Sequence, residues 1–145
     1  MTTYTMMDVL MASPTEPLPE AKRRHQLTRM FLAMRNLEQD PEPTVDDWEC
    51  VNDAVLLMQS LWLMGVVQDP EEQILHSIDA LGKSGIRSLE TGRIRLDGKD
   101  IGILRGILRD YADVLEVLPA RTMIKAHMET ERRVAKMMRK HGRKK

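Results

Sequence analysis

Apolar residues recur at spacings of three and four along most of this chain, the period of helices that bury one face. Leu27, Met30, Phe31, Met34 and Leu37 form the first such stripe and predict a helix over residues 20–37. Asp40-Pro41-Glu42-Pro43 stops it, because a proline disfavours helical backbone in the residue before it. Thr44 then offers an N-cap, with Asp46 and Asp47 in the first turn, where the helix dipole favours negative charge. The helix it opens is predicted over residues 45–64, with Gly65 as its terminating residue. Val45, Trp48 and Val51 make its first half one-sided. From Ala54 onward, Val55, Leu56, Leu57, Met58, Leu61, Trp62, Leu63 and Met64 leave no polar face. A helix that is apolar all round is one covered all round. This segment is therefore expected at the centre of the fold.

Asp69-Pro70-Glu71-Glu72 predicts the next helix start: a cap, a proline at the first position and acids in the first turn. Ile74, Leu75, Ile78, Leu81, Ile86 and Leu89 supply its apolar positions. Gly82 and Gly85 lie inside it and point to a kink or a close crossing. Thr91-Gly92 ends it. Arg93-Ile94-Arg95-Leu96 alternates and reads as extended, but four residues are too few for an independent sheet. A helix over residues 97–118 follows, with Ile101, Leu104, Leu108, Tyr111, Leu115 and Leu118 along one side, widened by Ile103, Ile107 and Val114. Pro119 breaks it. A last helix over residues 120–139 carries Ile124, His127, Val134 and Met138, with Glu131 interrupting the seam. Pro14, Pro17 and Pro19 make the start of the chain a poor helix former. The expected architecture is all-α: a single-domain bundle of four to five helices around a central, all-round apolar one. Its expected divisions are a poorly ordered segment 1–19, a helical domain 20–139 and a basic tail 140–145.

Composition refines this picture in three ways. A chain of 145 residues can build a core without disulfides or metal. The 22 basic and 22 acidic side chains cancel, but they are unevenly placed. Residues 1–35 carry a net charge of +2, residues 36–120 one of −10 and residues 121–145 one of +8. This is an acidic body with a basic end. The single cysteine, Cys50, excludes an internal disulfide framework and fits a reducing compartment. The opening stretch MTTYTMMDVLMASP lacks the basic n-region of a signal peptide. The longest nearly apolar run, Ala54 to Val67, is 14 residues and too short to span a bilayer. The expected location is cytoplasmic, without a membrane partner. The 12 methionines suit irregular gaps between helices and, where exposed, adaptable binding surfaces.

The chain carries no glycine-rich phosphate loop, no CxxC pair, no HExxH and no Glu-x-x-His of the di-metal bundles. Asp69, Glu72, His76 and Asp79 fall on one stripe of a predicted helix. Without convergent ligands from a second element they read as its solvated face. His127 and Glu131, four residues apart, read as a helix side-chain pair. Acids near Cys50 (Asp46, Asp47 and Asp53) raise a thiol pKa and argue against a reactive thiolate. The sequence thus assigns no catalytic, metal or cofactor residues, and the expected function is non-enzymatic.

Two charged stretches remain as candidate binding surfaces. Arg121, Lys125, Arg132, Arg133, Lys136, Arg139, Lys140 and Arg143 concentrate positive charge, and several of them make a helical ridge fit to follow phosphates or an acidic protein surface. The same segment lacks interleaved aromatics, so stacking on single-stranded bases is unsupported. Glu38, Asp40, Glu42, Asp46, Asp47 and Glu49 form an acidic run with no base, fit to occupy a basic surface on a partner.

The segment Glu90-Thr91-Gly92-Arg93, followed by an apolar turn and a further helix, resembles a piece of small helical proteins encoded by phages and prophages of proteobacteria. The layout over residues 36–140 is similar too. The resemblance implies a bacterial accessory protein and transfers no site residues. The expected activity is binding to a host or phage protein, as an inhibitor of a host protein or defence complex. Nucleic-acid binding by the basic helix is the alternative, and self-association is left open.

Overall fold

The computed structural model describes residues 4–69 and 71–143, the side chains of 141–143 excepted. Pro70, the Arg143 side chain, Lys144 and Lys145 thus lie outside the described residues. The chain is an all-α bundle of six helices among those residues: α1 (Met6–Met11), α2 (Glu20–Gln39), α3 (Val45–Leu63), α4 (Gln73–Thr91), α5 (Gly98–Val117) and α6 (Ala120–Arg143). No described helix is long and apolar enough to cross a membrane.

Helix α3 is the hub, packing against α2, α4, α5 and α6. Its start is fixed by a capping box: the Asp47 amide donates to Thr44 Oγ1, and the Thr44 amide donates to the Asp47 carboxylate, both at 3.1 Å. Its end is a Schellman turn, in which Gly65 takes φ +76° and the Val66 amide reaches the Leu61 carbonyl at 2.8 Å. Val51, Val55, Leu57, Met58 and Leu61 are buried along it. Coverage is not complete, however. Trp62, Leu63 and Met64 at its end are exposed, because α4, beside Trp62, covers only part of that end.

The first segment departs from expectation. Thr5 and Asp8 form a second capping box and start α1, which ends after Met11, short of the first proline. Val9 is buried, and α1 packs on α6. The Ala120 amide donates to the Glu16 carbonyl at 2.8 Å and the Arg121 amide to the Ser13 carbonyl at 2.9 Å, stitching the prolines' segment to the start of α6. The other end also differs: α6 runs on through Arg143 rather than giving way to a tail at residue 140.

Helix α4 starts three residues later than expected. Asp69 still caps it, accepting from the Gln73 and Ile74 amides at 2.8 and 2.9 Å, while Glu72 between them takes a left-handed φ of 55°. The buried face of α4 is Ile74, Ser77, Ala80, Leu81 and Ser84. Leu75, Ile86 and Leu89, expected in the core, are exposed. Phe31 of α2 and Met138 of α6 are likewise outside it. The reason is shared: each of these helices has more apolar circumference than its neighbours cover. Residues 93–96 form no strand, and Ile94 plugs the core.

Candidate binding surfaces

The basic residues of α6 divide into those the fold uses and those it leaves free. Arg121 is structural: its guanidinium donates to the Val9 and Leu10 carbonyls at 3.0 and 3.2 Å, neutralising the C-terminal end of α1. Arg133 is structural too. It donates to Gln59 Oε1, Ser60 Oγ and, at 3.3 Å, the Leu56 carbonyl. Burial lowers its pKa from 12.5. Beside it, the Ser60 and Thr130 hydroxyls share a buried hydrogen bond. Arg132 pairs within its own helix, with Glu129 at 2.6 Å. Lys125, Lys136, Arg139 and Lys140 are exposed. Among the described residues no acid of α2 to α5 pairs with any base of α6, so the acidic body does not absorb the ridge.

The apolar side of α6 continues past the body. Met123, Ala126 and Thr130 are buried against it, Val134 is half-buried, and every residue from Ala135 to Lys140 is exposed. Met137 and Met138 extend the buried stripe beyond its cover. At 3.6 residues per turn, they face away from Arg132, Lys136 and Arg139. The outer half of α6 thus presents a basic ridge on one side and methionine on the other.

Half of the acidic run is engaged inside the fold. The Glu38 carboxylate binds the Arg105 guanidinium through both oxygens, one contact being 2.6 Å. Asp47 belongs to the α3 cap and also accepts from Asn36 at 3.2 Å. Asp40 accepts from the Glu42 amide at 2.9 Å, closing the turn before α3. Glu42, Asp46 and Glu49 are exposed.

The Asp69, Glu72, His76 and Asp79 stripe does not converge. Asp69 is the α4 cap, Asp79 pairs with Lys83 at 2.9 Å, and no group of three or more metal-ligating side chains occurs among the described residues. His127 does not pair with Glu131. Its ring lies against Tyr4, centroids 5.4 Å apart, and burial lowers its pKa from 6.5.

Tertiary packing creates a cleft of about 280 Å³ that the sequence does not announce. Cys50, Asp53, Tyr111, His127 and Arg29 line it, from four helices. Burial raises the pKa of Cys50, of Asp53 and of Tyr111, the last to about 12. Each shift favours the neutral form. No hydrogen bond links Cys50 to His127 among the described residues, and burial favours the neutral Cys50 thiol. Asp46, Glu49, Cys50 and Asp53 share α3, and their spacing of three and four was the local signal. A larger groove, about 560 Å³, runs along α2 beside Leu27, Phe31 and Leu32, with Arg23, Arg24 and Arg35 on its rim.

The Glu90-Thr91-Gly92-Arg93 piece is a helix terminator. Gly92 takes φ +72°, its amide donates to the Ser88 carbonyl, and Thr91 Oγ1 accepts from the Arg93 amide at 3.2 Å. No protein-family model, curated protein or solved structure matches this chain.

Proposed function

We propose that this protein acts by binding another protein rather than by catalysis, and that the outer half of α6 makes the contact. The observation that carries this reading is the pairing of two exposed faces on one helix. Lys136 and Arg139 project on one side, and Met137 and Met138 on the other. A basic amphipathic helix fits an apolar groove with an acidic rim. Methionine on the apolar side suits adaptable contact. The cleft at Cys50 supports the non-catalytic part, because burial favours the neutral thiol there. The acidic run is the weaker docking surface, since Glu38, Asp40 and Asp47 are engaged within the chain. With the resemblance of the α4 terminator to phage and prophage proteins, the partner is proposed to be a host protein or a defence complex in a bacterial cytoplasm.

A second reading, nucleic-acid binding, is favoured by the ridge alone: Lys125, Arg132, Lys136 and Arg139 align at helical spacing. It leaves the methionine side without a role.

Two double variants separate the readings: Met137→Ser with Met138→Ser, and Lys136→Glu with Arg139→Glu. All four positions are exposed, so both should fold. Each is compared with wild type in capture from bacterial lysate, direct binding of the recovered protein, and titration of duplex DNA against salt. The proposal expects one protein to be retained by wild type and lost by both variants. Duplex binding that falls steeply with salt, and that only the charge reversal abolishes, selects the nucleic-acid reading. Capture and duplex binding that neither variant affects overturn both.

A further inference from the structure

We propose that α4 pairs antiparallel with α4 of a second copy of this chain, about a twofold axis at Gly82. The surface in question is independent of the outer half of α6. On α4, Leu75, Ile86 and Leu89 are 58%, 62% and 87% exposed, and Ile78 is half-buried. Such a row of apolar side chains on a monomer marks an interaction surface.

The row is a palindrome. Counted from Gly82, Leu75 and Leu89 lie seven residues either side, and Ile78 and Ile86 lie four either side. At 3.6 residues per turn all five positions fall within about 40° of one another's mean direction. They form a single stripe, adjacent to the face that α4 buries in its own chain. A twofold interface is self-complementary: whatever lies a given distance before the axis meets what lies the same distance after it. Leu75 therefore meets Leu89 of the second copy, and Ile78 meets Ile86. Gly82 meets Gly82 at the crossing, where a Cβ added to it would find nothing within 4 Å in its own chain. Glycine at the crossing lets the two backbones approach closely.

Charge selects the antiparallel sense. Glu71 and Glu72 are exposed just before α4, and Arg93 is exposed just after it. Antiparallel pairing sets these acids beside Arg93 of the second copy. Parallel pairing would set acid on acid and base on base. Asp79 and Lys83, paired at 2.9 Å on the flank of the stripe, obey the same rule. In the antiparallel arrangement Asp79 lies about 3 Å along the axis from Lys83 of the second copy, given a rise of 1.5 Å per residue. The two helix dipoles also oppose, which favours this sense. Trp62, 46% exposed at the open end of α3, borders a hollow of about 100 Å³ with Leu75 and Ile78 and extends the apolar face.

The test is sedimentation equilibrium of the full chain over a wide concentration range, with circular dichroism to confirm that each variant folds. Wild type should associate to a dimer and stop there. Leu75→Glu with Leu89→Glu should weaken association at least about 100-fold, since each charge would be buried unpaired. Glu71→Lys with Glu72→Lys should weaken it, and adding Arg93→Glu on the same chain should restore it. In a Cys50→Ser background, Gly82→Cys should form a disulfide-linked dimer on mild oxidation, whereas Leu75→Cys should cross-link only to chains carrying Leu89→Cys. A chain that stays monomeric throughout overturns the proposal. So does self-cross-linking of Leu75→Cys, which would mean a parallel pair. A monomer whose Leu75→Glu variant loses a bound foreign protein assigns the face to that protein and overturns it too.

Discussion

The indole Nε1–H of Trp48 donates to the main-chain carbonyl of Leu81 at 3.1 Å, binding the start of α3 to the middle of α4. The contact explains one glycine of α4. A Cβ at Gly85 would stand 3.3 Å from Trp48 Cζ2, and the ring cannot retreat without straining that hydrogen bond. Gly82, one turn earlier, faces open space. Alanine in a helix is worth about 1 kcal/mol over glycine. Gly82→Ala should therefore stabilise the monomer by about that amount, and Gly85→Ala should fall short of it by about 1 kcal/mol or more. Denaturant unfolding of both variants checks the difference.

Leu61 is 0% exposed at the point where α3 meets its neighbours. Leu61→Ala should cost about 2–5 kcal/mol, as large-to-small core truncations do. Leu63→Ala, two residues on and exposed, should cost under about 0.5 kcal/mol. Equal losses from urea titrations would mean that the last turn of α3 is covered after all.

The Ser77 and Ser84 hydroxyls are fully buried and meet no hydrogen-bonding partner among the described residues. A buried unsatisfied hydroxyl costs about 1–3 kcal/mol. Ser77→Ala and Ser84→Ala should each raise the melting temperature, by about 2–5 °C for roughly 1 kcal/mol in a chain of this length. A drop in melting temperature would show that the hydroxyl is bonded.

Burial depresses the pKa of His127 below 6.5, so the unfolded chain binds the proton more readily than the folded one. The sign follows from linkage: stability is full above the ordinary imidazole range and declines as pH falls through it. Burial raises the pKa of Asp53, and that group acts in the opposite sense, its penalty growing as pH rises above 3.8. His127→Gln should flatten the stability profile between about pH 7 and 5. Thermal melts across that window read it directly, and an unchanged slope would assign the acid sensitivity to another group.

The local spacing of residues determined the helices. Periods of three and four, Thr44 with Asp47, Gly65, Gly92 and Pro119 together set the starts and stops of α2 to α6 to within a few residues, because caps and breakers act within one turn. Thr5 and Asp8 carried the same signal for α1, and the nearby prolines obscured it. The sequence also located the basic charge of α6. It did not determine which apolar side chains would be covered. Leu75, Ile86 and Leu89 fit a core pattern as well as Ile74 and Leu81 do, and only the position of α3 decided which of them it shields. Nor did it determine which charges would be consumed. Arg133 and Lys136 are alike in sequence, yet one rests on Leu56 and Gln59 while the other is exposed. The cleft that gathers Cys50, Asp53 and His127 arises from helices far apart in the chain. Burial and partnership are properties of pairs of elements, and a period along one element cannot specify them.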